Sequence, residues 1–333
     1  MVQNPELSGT ERAIFGDLSV EAITELLDRY LARELSSPLA ETLFRAGRID
    51  AVWAVRTGDE RKIIVKAHRQ PVDLMARRTT TAAQRLLADA GFPCPQPVSG
   101  PDEFEGLVLS AETLMTAGRP GSGRHPSVRR SIAAGLAEHV EILRGHPELT
   151  PQVGPGPAWC QYQSGPWPTP HDPIFDFRTT PDGYSWLDSF ARTAADRLIR
   201  SAHDDPIVIG HADWYGGNLR FDGDRLVAAF DWDLVADTEP VIAGFSAAAY
   251  TDNGGDESDL ASPDDVVAFL TDYEAATSRP FSKSDQRTAA AAASWALAYN
   301  ARCERSMLVG HPTPGSPLEL ARLHRNRYLE LAW

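Results

Sequence analysis

Two stretches hold the chain's densest grouping of side chains able to do chemistry. They are Val208–Phe221, VIGHADWYGGNLRF, and Leu226–Asp233, LVAAFDWD. The pattern reads as loop, strand, turn, strand. Pairing Leu219–Phe221 with Val227–Phe230 across the Asp222-Gly223 turn brings Asn218 and Asp231 to the same end of a hairpin, so that two oxygen donors face one point. Mg2+ takes oxygen donors, keeps several waters and shares itself with nucleotide phosphates, so Asn218 and Asp231 suffice as its protein ligands. Asp213, five residues before Asn218 on a tight loop, is placed to orient a substrate hydroxyl and accept its proton while the metal neutralises charge on a transferred phosphoryl group. His211 reads as a residue that braces the loop rather than as a base. A lone Asp-x4-Asn pair would be no more than a turn cap. The hairpin, Asp231 and a lysine on an upstream strand, in that order, carry the chemical reading.

The elements that must position these groups fall into two regions. Ser19 caps a helix with Ala22, Ile23, Leu26, Leu27, Tyr30 and Leu31 on one face. Ala51–Val55, the turn Gly58-Asp59-Glu60 and Ile63–Ala67 read as a β-hairpin carrying Lys66, with Lys62 as its nearest competitor. A helix follows from about Met75 to Ala90, closed by Gly91 and the proline-rich segment Phe92–Pro97. Leu107–Leu109 is a short buried strand. After Ser110 helical periodicity takes over, with one stripe in Ile132, Leu136, Val140 and Leu143 and another from Trp186 to Ile199. Strands first and helices after define an α+β fold with a small β-rich lobe and a larger helical one.

An HxDxxxxN segment followed by Asp-Trp-acid resembles the aminoglycoside phosphotransferase and choline kinase superfamily, distant relatives of protein kinases, over nearly the whole chain. The resemblance implies a protein-kinase-like two-lobed fold: residues 1–109 as a nucleotide-binding lobe, 110–113 as a hinge, and 114–333 as a helical lobe with the catalytic loop and acceptor site. It implies Asp213 as catalytic base, Asn218 and Asp231 as Mg2+ ligands, and Asp233 as the second acid of the Asp-Trp-acid motif. It also implies Lys66 on the α- and β-phosphates and Ser110, Ala111 and Glu112 as the hinge that receives adenine. Because family members receive adenine mainly through backbone groups, the Glu112 side chain reads as a solvated surface acid. The expected activity is ATP-dependent transfer to a small hydroxylated acceptor, with GTP as an alternative donor.

Three features depart from that pattern. The loop Ala46–Asp50 has one glycine and no GxGxxG. The helix after Lys66 lacks the acid expected to pair with it: Thr80, Thr81 and Gln84 occupy the plausible positions, and Gln84 can hydrogen-bond Lys66 without supplying charge. After Asp233 the family's Gly-Asp-Pro and later Asp become Thr238-Glu239-Pro240 and Ala243-Gly244, which removes the residue that would brace the catalytic loop around His211. These departures motivate an alternative, a nucleotide-binding pseudoenzyme or regulatory module. A protein kinase is disfavoured because no Ala-Pro-Glu follows Asp231.

Acceptor candidates lie in the proline- and aromatic-rich stretch 147–184: Trp159, Tyr162, Trp167, His171, Asp172 and Asp176, together with acids around Asp252–Asp259. Aromatics with acids suit a cationic acceptor such as an aminoglycoside or amino sugar, although the same residues can simply pack the loop down. A net charge of −14 without a basic patch disfavours nucleic acid. Cys94, Cys160 and Cys303, without a CxxC pair, indicate neither a disulfide framework nor a thiolate zinc site and fit a reducing cytoplasm. The segment MVQNPELSGTERAIF has no basic stretch followed by an apolar run, and the apolar run Ala289–Tyr299 is too short to span a bilayer, so neither export nor a membrane span is expected.

Overall fold

A computed structural model describes residues 6–154, 156–165, 167–201, 205–255, 259–308 and 310–333. It divides into two compact units, Met1–Thr116 and Ala117–Trp333. The division falls just past residues 110–113, which belong to the last strand of the first unit.

In the first unit, α1 (Gly9–Phe15) and α2 (Val20–Leu35) precede β1 (Leu39–Ala46), β2 (Ala51–Thr57), β3 (Lys62–His68), α3 (Leu74–Asp89), β4 (Pro97–Phe104) and β5 (Leu107–Thr113). The strands form one antiparallel sheet in the order β1-β2-β3-β5-β4. Alternation sorts its two faces. Trp53, Val55, Ile63, Val65, Leu109 and Ala111 are buried in one core cluster with Ile23, Leu27, Tyr30 and Leu31 of α2. Burying such a side chain is worth about 1.5–3 kcal/mol, and Ser19 fixes the start of α2 by accepting a hydrogen bond from the Ala22 N–H. The alternate residues Ile64, Lys66 and His68 on β3, and Ser110 and Glu112 on β5, occupy the other face, where Lys66 lies opposite Ser110 and Ile64 opposite Glu112.

The strand β4 escapes a reading from periodicity. It sits at the sheet edge and holds Pro97, Gly100 and Pro101 around irregularities in its pairing with β5. An edge strand tolerates proline, and Gly100 has φ +72° where a Cβ would overlap the Leu109 carbonyl oxygen.

The second unit contains α4 (Pro126–Arg144), α5 (Ser185–Ser201), β6 (Ile207–His211), β7 (Leu219–Asp222), β8 (Arg225–Ala229), β9 (Leu234–Thr238), α6 (Glu239–Ala249), α7 (Pro263–Ala276), α8 (Lys283–Met307) and α9 (Pro317–Leu329). The apolar run Ala289–Tyr299 is the centre of α8, buried by its neighbours. Small residues let α6 approach it closely, since a Cβ at Gly244 would overlap the Ala289 carbonyl oxygen. Among the described residues no helix is long and apolar enough to cross a membrane. All three cysteines are buried free thiols.

Candidate active site

Two small antiparallel ladders assemble the loop that carries the acids. The first pairs β6 with β9, ending at His211 opposite Leu234, and is continued by the Ala212 N–H donating to the Asp233 carbonyl at 2.8 Å. The second pairs β7 with β8, Leu219 opposite Ala229, and is continued by the Phe230 N–H donating to the Asn218 carbonyl at 3.0 Å. Residues 212–218 and 230–233 are therefore clamped together at both ends. The hairpin anticipated around Asp222-Gly223 is present, with Asp222 opposite Arg225 so that Gly223 and Asp224 make the turn.

Within this clamp the Asn218 amide Nδ2 donates to the Asp213 carboxylate Oδ2 at 2.9 Å and to the Asp213 carbonyl at 3.1 Å. The amide nitrogen is thereby spent on Asp213, which leaves Oδ1 as the lone-pair end for a cation. Asp231 is exposed and holds a left-handed φ of +58°. Such a backbone is uncommon outside glycine, asparagine and aspartate, and where found it clusters at functional loops.

The electrostatics of this loop are unbalanced. Burial, and next the Asp231 carboxylate, push the Asp213 carboxyl up to about 7, with Asp233 and Asp252 adding to the effect and the Asn218 amide opposing it. Burial leads this shift and the neighbouring carboxylates add to it; a loop lined by carboxylate and amide oxygens fits a hard divalent cation. Among the described residues no group of three or more His, Cys, Asp or Glu is disposed as a metal cage, so a metal here would rely on Asn218, Asp231 and oxygens from elsewhere.

His211 is the brace. Its Nδ1 accepts from the Asp213 N–H at 3.1 Å and its Nε2 lies 3.1 Å from the Phe230 carbonyl, so the proton belongs on Nε2. Burial pulls its pKa down to about 4, which keeps the ring neutral and preserves this arrangement. His211 thus ties the two halves of the loop together through the backbone, packed among Trp214, Trp232 and His139. The Trp214 indole donates to the Ile132 carbonyl of α4 at 3.1 Å, anchoring the loop to the helical body.

The acceptor candidates separate into distinct roles. The Trp159 indole donates to the carbonyl of Ala212, the residue before Asp213, at 2.9 Å, and the Trp159 carbonyl accepts from the Trp295 indole at 2.8 Å. Trp159 makes an edge contact with His171, whose Nδ1 is 2.8 Å from the Tyr299 hydroxyl. Trp167 joins the same aromatic group through Phe177 and Trp295, its indole donating to Asp188. Tyr162 is instead a core residue, 2% exposed, donating its hydroxyl to Asp237. The Asp172 side chain caps the Ile174 N–H, and Asp176 is engaged by its own turn and by Arg178. Of the acidic loop, residues 256–258 lie outside the described residues, the Asp252 carbonyl accepts from the Gly217 N–H, and Asp259 pairs with Arg124.

In the first unit the structure corrects two expectations. Glu112 is not solvated: it is 9% exposed on β5, with Oε1 2.9 Å from Lys66 Nζ. Gln84 does not bond Lys66; its amide donates to Glu112 Oε2 at 3.0 Å and to the Pro95 carbonyl at 2.9 Å. Ser110 is also engaged, its hydroxyl 2.9 Å from His68 Nε2, while His68 Nδ1 is 2.7 Å from Asp50 Oδ2. Burial works against the Asp50 charge, yet His68, Arg77 and the Arg69 N–H hold its carboxyl below the usual value. Ser110, Ala111 and Glu112 thus lie within a paired strand, and the chain leaves the sheet over 114–116.

The profile of the phosphotransferase enzyme family matches residues 41–278. No curated protein sequence matches the chain. Among solved structures, an amicoumacin kinase in complex with AMP-PNP, Ca2+ and Ami is 10% identical with a TM-score of 0.59, covering 93% of this chain and 96% of its own. The Plasmodium vivax ethanolamine kinase is 13% identical with a TM-score of 0.58, covering 97% and 94%. The macrolide 2'-phosphotransferase of Brachybacterium faecium is 16% identical with a TM-score of 0.53, covering 87% and 99%. At these identities the likeness is one of fold, whereas the profile spans well over half of the sequence, residues 212–233 included: the chain belongs to the phosphotransferase enzyme family and is a small-molecule kinase.

Proposed function

We propose that this protein transfers the γ-phosphate of ATP to a hydroxyl of a small, polar, cationic acceptor, an aminoglycoside-like antibiotic or an amino sugar. The observation that carries the reading is the Asn218-to-Asp213 bond at 2.9 Å inside a clamped loop where burial, and next the Asp231 carboxylate, raise the Asp213 carboxyl to about 7. A carboxyl tuned near neutrality and locked in one orientation suits a group that takes a proton at ordinary pH. In this reading Asp213 Oδ accepts the acceptor's hydroxyl proton, the acceptor oxygen bonds to the γ-phosphorus, the β–γ bridging bond breaks and ADP leaves. Asn218 Oδ1 and the Asp231 carboxylate would hold Mg2+, which supplies neutralisation of phosphate charge. Lys66 serves the α- and β-phosphates, and the backbone beyond Ser110, Ala111 and Glu112 serves adenine. The amicoumacin kinase complex, with its ATP analogue and divalent ion, supports this cofactor assignment by analogy of fold.

For the acceptor, Trp159 is the favoured contact because it touches the catalytic loop directly, with exposed His171 beside it. An aromatic surface next to unneutralised acids attracts cations through charge and ring quadrupole together. The pseudoenzyme alternative loses its main motive, since Lys66 has a carboxylate partner in Glu112.

The test is Mg2+-dependent ADP release with ATP or GTP across aminoglycosides, amino sugars, amino alcohols, nucleosides and neutral sugars. Release stimulated by cationic acceptors is expected. Equal turnover of neutral and cationic acceptors would end the charge-selection part, and ATP binding without release with any acceptor would end the enzymatic part.

A further inference from the structure

Helix α3 presents Thr80, Thr81 and Gln84 where an acid could steady the β3 lysine, so the positive charge of Lys66 needs its counterpart from another element. Lys66 lies opposite Ser110 and Glu112 opposite Ile64, which makes Lys66 and Glu112 diagonal neighbours on one face of two adjacent strands. Diagonal neighbours are roughly 7–8 Å apart at the backbone, within reach of two long side chains. The ammonium and carboxylate meet at 2.9 Å, with side-chain exposures of 20% and 12%. The second carboxylate oxygen accepts from Gln84, and the same amide is fixed by the Pro95 carbonyl. Gln84 cannot neutralise Lys66, but as a donor it can orient an acid that does.

We infer that Glu112 is the positioning residue for Lys66: the acid is delivered from strand β5 instead of helix α3, and Gln84 marks the vacated helix position and aims Glu112. This rests on the proposed role of Lys66 at the nucleotide phosphates. Both members of the pair are on strands joined by a continuous antiparallel ladder, so the pair does not depend on the helix for its charge. A shift of α3 takes away the Gln84 bond to Glu112 but leaves the lysine and its carboxylate on paired strands, which makes the ion pair a fixed part of the sheet.

The experiment compares wild type, Glu112→Gln, Gln84→Ala and the relocation double variant Gln84→Glu/Glu112→Gln. Each is measured for Mg2+–ATP affinity by calorimetry, for kcat and ATP KM in ADP release, and for thermal midpoint. Glu112→Gln is expected to weaken Mg2+–ATP binding and kcat/KM for ATP by ~10- to 100-fold, the scale of a lost charge-assisted bond. Gln84→Ala should lose less than Glu112→Gln. The relocation variant should recover at least about tenfold over Glu112→Gln, because it returns an acid to Lys66 from the helix, a rescue that a packing role would not give. Two results overturn the inference: Glu112→Gln with ATP affinity and kcat/KM within about twofold of wild type, or losses that follow the thermal midpoints with no recovery in the relocation variant. Failure of the underlying reading is visible separately, in a wild type that binds ATP yet transfers to no acceptor, and the affinity comparison then still decides the role of Glu112.

Discussion

The two units place charge in opposite ways. In the first, the Lys66 ammonium meets Glu112 at 2.9 Å and the Asp50 carboxylate lies between His68 of β3 and Arg77 of α3, so each of these charges has a counterpart within the unit. In the second, burial, and after it the Asp231, Asp233 and Asp252 carboxylates, raise the proton affinity of Asp213, with an asparagine amide as the compensation. A balanced pair is stable in the empty protein and can hold a side chain ready. An unbalanced group of acids is costly in the empty protein and becomes favourable only with a cation. The first arrangement suits a fixed point for phosphate, and the second suits a metal that comes and goes with nucleotide.

The sharpest way to break this comparison is to remove the proposed base. Asp213→Asn is expected to lower kcat by roughly 10³-fold while ATP affinity changes by less than about threefold, read by single-turnover transfer and calorimetry. A parallel collapse of ATP binding would make Asp213 a structural residue.

Next in size is a reversal of sign in stability. Lys66→Met leaves the Glu112 carboxylate largely buried without its cation and should destabilise by about 1–3 kcal/mol, whereas Asp213→Asn should raise the thermal midpoint of metal-free protein at pH 8 by a few degrees, on the order of 1–2 kcal/mol. The sign follows from linkage. Asp213 has a folded-state pKa near 7, above its ordinary value of 3.8, so its contribution is fully present below pH 3.8 and is lost as pH rises through 7. The gain from Asp213→Asn should therefore vanish at pH 4. Melting curves at the two pH values in EDTA test this, and a gain of equal size at both would remove the acid-crowding account.

Smaller effects come from the supports. Trp159→Phe deletes the bond to the Ala212 carbonyl and should cost about 1 kcal/mol, with a few-fold change in acceptor KM and little in ATP KM. Ser110→Ala removes the hydroxyl next to His68 and should cost about 0.5–1 kcal/mol with transfer nearly unchanged. A large loss of transfer from Ser110→Ala would mean that this residue touches nucleotide.

What could be read from the sequence follows the distance over which each feature is encoded. Asp213, Asn218 and Asp231 lie within nineteen consecutive positions, and their turn residues and alternating strands specify the clamp locally. The helices α2 and α3 were legible because caps and apolar spacing mark them without reference to the rest of the fold. Glu112 was not, because its role depends on the β3–β5 register and on which strand face meets α3, and no local signal in SAET distinguishes a solvated acid from a paired one. The strand β4 was hidden by Pro97, Gly100 and Pro101, residues that an edge accepts and a central strand would refuse. Trp159 and Tyr162 look alike as aromatics in a proline-rich stretch. Only the position of Ala212 and Asp237 around them separates a residue against the Asp213 loop from one sealed in the core.

The Asp50–His68–Ser110 chain gives the segment between β1 and β2 a property that glycine-rich loops lack. Asp50 holds both the His68 ring and the Arg69 amide, and Gly47, at φ +109°, makes the tight turn there. The conformational entropy of this segment is surrendered during folding rather than when nucleotide arrives. Amides near Asp50 should accordingly exchange slowly with solvent deuterium even in the empty protein, and bound nucleotide should add little further protection.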